Sequence, residues 1–396
     1  MLTCARDKWK MTSLSLMLVA GEASGDAHGA SLVSALRETA PQIEFQFFGA
    51  TGAQMRAAGV QSIVDTDRLS ILGLWEVAAA FPKFLSAYHE LKQAVIDRKP
   101  DAVVLIDWPE FNLRLARWLH RRSVRVIYYV SPQVWAWRSY RARSIARDVD
   151  LLLSILPFEK EWYAARGMTH VEFVGHPLAG NVRATSDRAE FCRRHDLDPA
   201  KPIISLLPGS RHKELARILP PMLDAAGMIS RSHDQVQFAV VVAPNRDPKE
   251  ADEIVARHPS NSLRSGLRII HDETRDALAA SAAAAIASGT ATLEAALLGT
   301  PMVIVYKESF LNWHLLGSMI SVDHFGLVNL IAGRRVVTEL MQNDLNGEVL
   351  ARELLNLLER DRNHQVRTEL VMVAQQLGEG GASRLAAKTI LELLEK

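Results

Sequence analysis

The chain has 396 residues, of which 48% are apolar, and a formal net charge of +1. It can fill two cores of ordinary size, and its overall balance argues against nucleic-acid binding or an acidic tail. The only cysteines, Cys4 and Cys192, match no metal or redox spacing and fit a reducing compartment, and no apolar run approaches the length that spans a bilayer.

Arg6, Lys8 and Lys10 ahead of Leu14 to Ala20 imitate a signal peptide. The apolar run is marginal for one, however, and Gly21-Glu22-Ala23-Ser24-Gly25-Asp26 reads better as the loop after a first strand, so no export signal is assigned. Short β-rich runs follow at Phe45 to Phe48, Ala102 to Asp107, Val124 to Val130, Leu151 to Ile155 and Val171 to Val174, with helical periodicity in most of the gaps. Continuous apolar strands between amphipathic helices predict a parallel sheet covered on both faces. From His176 to Pro202 the sequence turns polar and proline-rich, and a linker is placed there. The alternation resumes at Ile203 to Leu207, Gln237 to Val242, Leu267 to His271, Ala282 to Ile286 and Met302 to Val305, and the segments Glu348 to Leu358, Gln365 to Leu377 and Ser383 to Leu394 are helical. The expected fold class is therefore α/β, with doubly wound domains over 1–180 and 181–345 facing a central cleft. The helices of 346–396 follow, packing back on the first domain.

Several strand ends carry chemistry. Gly21 to Asp26 is a glycine turn entering a helix without the GxGxxG fingerprint, and Glu22 is either an acceptor for loop amides or an acid facing the cleft. Asp107 sits where a buried strand ends and Pro109 marks a helix start; it is either that helix's N-cap or a general base. The run Ser131-Pro132-Gln133-Val134-Trp135-Ala136-Trp137-Arg138 offers two indoles beside a cation, either as core or as a wall for sugar or acyl groups. Arg114, Arg117, Arg121, Arg122 and Arg125, then Arg138, Arg141, Arg143 and Arg147, fit solvated helix faces or contact with anionic lipid or a phosphorylated substrate.

In the second half, Gly209, Ser210 and Arg211 precede a helix opened by Glu214. Arg211 either pairs with Glu214 or meets a diphosphate. Ser288, Gly289 and Thr290 form a turn whose amides and helix dipole suit a phosphate, and Glu294 in the same helix suits ribose hydroxyls; an ordinary helix cap with a dipole-friendly Glu reads equally well. No acidic pair or histidine cluster suggests a metal, no cofactor is expected, and His28, His176 and His324 read as loop or packing residues.

Taken in order, Gly21 to Asp26, Ile106 to Asn112, Ser131 to Arg138, Leu156 to Glu159, Val174 to Leu178, Leu207 to Arg211, and Ala287 to Glu294 with Pro301 to Lys307 resemble the motif series of bacterial lipid-A-disaccharide synthases. The resemblance runs from about Leu14 to Gln342 and leaves out the first ten residues. It departs from the family pattern at Trp108, Glu110, Val328 and Thr338. It implies a GT-B fold of two Rossmann-like domains and an inverting transfer from UDP-2,3-diacylglucosamine to the 6-hydroxyl of 2,3-diacylglucosamine 1-phosphate. It further implies catalytic roles for Asp107 and Glu22, and acceptor contacts by Ser24, Asp26, Asn112, Gln133, Trp135 and Arg138. The nucleotide sugar would be held by Gly209, Ser210, Arg211, Ser288, Gly289, Thr290, Glu294 and Asn329. Acylated substrates imply a peripheral place on the cytoplasmic face of the inner membrane, through Ile71, Leu72, Leu74, Trp75, Val77, Phe81, Phe84, Leu85 and Tyr88 with Lys83 nearby. The alternatives are a UDP-N-acetylglucosamine 2-epimerase-like enzyme on the same fold and a two-domain solute-binding protein.

Overall fold

Strands with no polar face need cover on both sides, and that requirement shapes each half of the chain. The computed structural model describes residues 9–68, 74–244, 246–259, 266–308 and 323–395, and the backbone alone at 68, 74–81 and 248. The chain divides into two units, Met1–Pro177 with Gly378–Lys396, and Leu178–Leu377.

The first unit contains a sheet of seven parallel strands: β1 (Ser13–Ala20), β2 (Glu44–Thr51), β3 (Gln61–Asp65), β4 (Ala102–Ile106), β5 (Val126–Tyr129), β6 (Leu151–Ser154) and β7 (Val171–Phe173), in the order β3-β2-β1-β4-β5-β6-β7. Alternation along β1 divides the core. Leu16 and Leu18 pack with Leu32 and Leu36 of the helix Ala23–Thr39 and with Ile390 and Leu391 of the helix Ala382–Leu394. Met17 and Val19 point the other way, to Leu91 and Val95 of the helix Leu74–Arg98 and Leu115 and Leu119 of the helix Pro109–His120. Each of these fully buried aliphatic side chains contributes about 1.5–3 kcal/mol relative to exposure. Close approach is built in at Gly29, where an added Cβ would lie 2.3 Å from the Met55 sulfur.

The second unit repeats the plan with six parallel strands: β8 (Ile203–Leu207), β9 (Gln237–Val242), β10 (Leu267–His271), β11 (Ala283–Ala287), β12 (Met302–Tyr306) and β13 (Thr338–Met341), in the order β10-β9-β8-β11-β12-β13. The helix His212–Ser232 packs against the helix Gly347–Leu358 on this sheet.

Three boundaries differ from the sequence reading. The presumed linker contains a helix, Arg188–Arg194, N-capped by Asp187, which buries Phe191 and Cys192 within the second unit. Of the C-terminal helices, Gly347–Leu358 and Arg360–Gln376 belong to the second unit, and Ala382–Leu394 alone belongs to the first. The edge strands β3 and β13 were not foreseen.

A carboxyl group ties two loops of the first sheet together. Glu159, fully buried after β6, accepts from Trp135 Nε1 at 3.0 Å and from the Leu156 amide at 3.2 Å. Burial pushes its pKa up from 4.5 to about 7. The native fold thus holds this proton more tightly than the unfolded chain does. The associated stability, of the order of 3 kcal/mol, is complete below the unfolded pKa and is lost as pH rises through the folded one. Glu159→Gln cannot ionise, so the Tm of the parent minus that of the variant is expected to fall between about pH 5 and about pH 8. A constant gap in pH-dependent thermal melts would contradict this.

Candidate active site

In an open parallel sheet the crevice forms where the strand order reverses, because the helices leaving the two central strands go to opposite faces. That place lies between β1 and β4 in the first unit and between β8 and β11 in the second. The loops leaving these four strands carry Glu22, Asp107, Arg211 and Ser288, and the helix entered after the last of them carries Thr290 to Glu294.

At the first crevice the chain makes an unusual turn. Asp107 and Trp108 have φ of 48° and 49°, and among the described residues they are the only consecutive non-glycine pair in the left-handed region. Such a conformation costs roughly 1–2 kcal/mol per residue. The Asp107 amide donates to the Tyr129 carbonyl at 3.1 Å, while its own carbonyl accepts from Asn112 Nδ2 at 2.8 Å and from the Tyr128 hydroxyl at 2.6 Å. Trp108, not Asp107, occupies the N-cap position of the helix Pro109–His120. Its indole stacks on Phe111 with centroids 4.0 Å apart, and Phe84 lies 5.9 Å away. It also covers Gly21, where an added Cβ would come within 2.0 Å of the indole ring.

The Asp107 carboxyl is half-buried. Its pKa is raised above the ordinary aspartate value, first by burial and then by the negative charge of Glu22, against a lowering hydrogen bond from the Trp108 amide. Glu22 is exposed at the N-cap of the helix Ala23–Thr39, without a side-chain cap bond. A carboxylate pair of this kind suits proton abstraction closer to neutrality than an isolated aspartate would.

Not every expected acceptor residue faces this crevice. Asp26 is buried and accepts from the amides of Gly52, Gln54 and Met55 at 2.8, 2.7 and 3.1 Å, capping the neighbouring helix Ala53–Ala57 from outside its own segment. Asn112 is fully buried among the carbonyls of Val19, Ile106 and Asp107. Trp135 is 5% exposed and committed to Glu159, whereas its neighbour Trp137 is 40% exposed. These three act on the protein's own frame, because a buried polar group needs a protein partner. Ser24, in the first turn of the helix Ala23–Thr39, and Gln133, in a loop, are exposed at the same sheet edge. Arg138 stacks its guanidinium 3.9 Å from the Trp137 ring and pairs with Glu110, which also receives two bonds from Arg141 at 2.8 and 2.9 Å. Of the basic clusters, Arg122 lies over Trp118, Arg125 donates to the Leu393 carbonyl, and Arg147 pairs with Asp148.

The second crevice is a cavity of about 380 Å³ lined by Gly209, Ser210, Arg211, Glu214, Thr274 and Ser288 to Ala291, with Glu294 on its wall. Glu214 accepts from the Ser210 and Arg211 amides at 3.0 and 3.2 Å and from Arg211 Nη1 at 3.1 Å. The pairing of Arg211 with Glu214 is therefore realised, yet the Arg211 side chain stays 83% exposed. The Ser288 amide is taken up by the Val305 carbonyl at 2.9 Å. That leaves the amides at the start of the helix Thr290–Leu297, among them Thr290 and Ala291, as the ones helix geometry aims outward. Glu294 pairs with Arg275 at 2.9 Å, and Arg275 also reaches the Asn181 carbonyl. Arg275 escaped the sequence reading because it lies on another helix, 19 positions away. Asn329 is fully buried; its amide donates to the Val337 carbonyl and Glu339, and its oxygen accepts from the Val336 and Val337 amides. Those bonds use the side chain's capacity, so it supports the loop before β13 and is not open to a donor.

The lipid-A-disaccharide synthetase family model matches residues 16–390. The chain belongs to this family. It is 44% identical over 388 residues to the lipid-A-disaccharide synthase of Syntrophus aciditrophicus, covering 98% of this chain and 99% of the relative. Against the enzyme of Geobacter sulfurreducens it is 40% identical over 388 residues, covering 97% and 98%. Among solved structures, a UDP-GlcNAc 2-epimerase from Neisseria meningitidis bound to UDP-GlcNAc superposes with a TM-score of 0.62 at 10% identity, covering 96% and 100% of the two chains. A calicheamicin glycosyltransferase superposes at 0.60 with 14% identity, covering 97% and 98%. These two likenesses show the GT-B fold class, with two Rossmann-like parallel-sheet domains, and nothing finer. Membership in the lipid-A-disaccharide synthetase family makes the chain a glycosyltransferase of lipid A biosynthesis that uses a sugar-nucleotide and a lipid-sugar. The epimerase alternative survives only as a distant relation of fold.

The contact of Trp108 with Gly21 can be tested directly. Gly21→Ala is expected to destabilise by about 1–3 kcal/mol, as overpacking does. Adding Trp108→Ala should recover most of the methyl-group penalty in a double-mutant denaturation cycle; full additivity would show that the two residues do not press on each other.

Proposed function

We propose that the second unit binds UDP-2,3-diacylglucosamine and that the first unit activates 2,3-diacylglucosamine 1-phosphate. The single observation that carries this is the raised Asp107 carboxyl beside Glu22 at the β1/β4 reversal. Ionised Asp107 takes the proton of the acceptor 6-hydroxyl as that oxygen attacks the anomeric carbon. The bond from that carbon to the diphosphate oxygen breaks with inversion, and UDP leaves with the electron pair. Glu22 keeps Asp107 basic. Arg211 and the first amides of the helix Thr290–Leu297 take the growing charge on the diphosphate, and Glu294 exchanges Arg275 for ribose hydroxyls. Ser24, Gln133 and Arg138 stand at the acceptor side.

Acyl chains on both substrates favour a peripheral place on the cytoplasmic face of the inner membrane, and among the described residues no helix is long and apolar enough to cross one. The contact is assigned to the Ile71 to Tyr88 region, with one correction. Phe84 and Tyr88 pack inward on the first core, leaving Leu85, at 47% exposure, and Lys83 on the outside. Ile71 and Leu72, and the side chains of Leu74, Trp75, Val77 and Phe81, lie outside the described residues.

Asp107→Asn is expected to lower kcat by about 10² to 10⁴ while UDP binding persists, as measured by UDP release that depends on the lipid acceptor. Because the base works ionised and its pKa is raised, kcat/KM should climb with pH through a value above that of an ordinary aspartate. Glu22→Gln should move that limb downward. Near-normal turnover of a folded Asp107→Asn enzyme rejects the assignment. Glu294→Ala should weaken UDP binding by roughly tenfold in calorimetry, the equivalent of a charged hydrogen bond; unchanged affinity removes Glu294 from the ribose.

A further inference from the structure

The turn at Asp107 and Trp108 is not explained by residue type: aspartate is one of the few non-glycine residues enriched at positive φ, but an indole-bearing residue is a poor occupant of that region, and two such residues in succession add their costs. Two buried side chains from different elements meet there on one atom. Asn112 Nδ2 and the Tyr128 hydroxyl both donate to the Asp107 carbonyl oxygen, at 2.8 and 2.6 Å, filling the two lone pairs such an oxygen offers. The Asn112 amide reaches the Ile106 and Val19 carbonyls as well, at 3.2 and 3.3 Å, and so ties the end of β4 to β1 across the crevice. With the Asp107 amide held by Tyr129, both polar groups of this residue's backbone are fixed.

We infer that Asn112 and Tyr128 form a clamp on the Asp107 carbonyl that holds the left-handed turn and thereby aims the Asp107 carboxylate at the acceptor hydroxyl. They are positioning residues for the transfer, and this assignment rests on the reading of Asp107 as the base. Without the clamp, the chain at 107 and 108 relaxes toward ordinary φ, which swings the Asp107 side chain away and gives its carboxylate more water. The substrate contacts of other residues are untouched, so the loss falls on turnover and not on binding. Near-attack geometry is sensitive at the scale of about 1 Å, which sets the size of the effect.

Tyr128→Phe removes one hydroxyl and keeps the ring in the core. It is expected to lower kcat roughly 10- to 100-fold with KM for both substrates within about twofold. The acidic limb of kcat/KM should move to lower pH as the carboxylate gains water. Trp108→Gly placed in the Tyr128→Phe background should return about fivefold or more of the lost kcat, because glycine holds positive φ without steric penalty. Asn112→Ala, read in the same way, decides the matter if Tyr128→Phe does not fold. The clamp is overturned if the folded variant keeps kcat within about twofold of the parent, or if kcat drops with no movement of the pH limb and no recovery by Trp108→Gly. The two readings separate cleanly. An active Asp107→Asn enzyme defeats the base itself, whereas an inactive Asp107→Asn beside an unaffected Tyr128→Phe defeats the clamp alone.

Discussion

Reversal of strand order is the constraint on which the rest of each unit depends. Parallel strands buried on both faces require crossovers that alternate sides, and where the winding changes direction the backbone of two adjacent strands ends without a helix above it. β1 and β4 create that opening in one unit, β8 and β11 in the other. The chemistry-bearing loops lie at these openings because a fully satisfied sheet offers polar groups to a ligand at few other places.

Much of the polar equipment near these openings serves the protein itself. Asp26 caps a neighbouring helix, Glu159 joins two loops, and Asn329 closes the turn before β13. Their burial is what commits them, since each would lose more by leaving a partner unsatisfied than a substrate contact could return. The groups left partly exposed, Asp107, Glu22, Arg211 and Glu294, are charged, and each either faces a like charge or shares an ion pair that a ligand could replace.

Most of the fold was legible because its strands are continuous apolar runs. The reading of β8, β9 and β10 matches the structure residue for residue, and β4 differs by one. β3 and β13 were missed because edge strands need less apolar sequence: Gln61-Ser62-Ile63-Val64-Asp65 and Thr338-Glu339-Leu340-Met341 are half polar. Of the site, the strand-end loops were legible, since glycine turns and helix starts have local signatures. Which side chains turn inward was not. Asn112, Trp135 and Asn329 are polar or amphipathic residues in motif positions, and only the partners that the fold brings to them, on other strands and loops, reveal that they are structural. Tyr128 and Arg275 were invisible for the same reason, being a core tyrosine and a surface arginine until their partners are known.

The helix Ala382–Leu394 packs on Ala23–Thr39 after the chain has traversed the whole second unit. During synthesis, therefore, the second unit has all of its sequence before the first does. The apolar face of Ala23–Thr39 that later meets Ile390 and Leu391 stays uncovered until the helix Ala382–Leu394 has been made. A chain cut short between Leu377 and Ala382 would leave the domain bearing Asp107 with an open seam, while the domain bearing Glu294 remained whole.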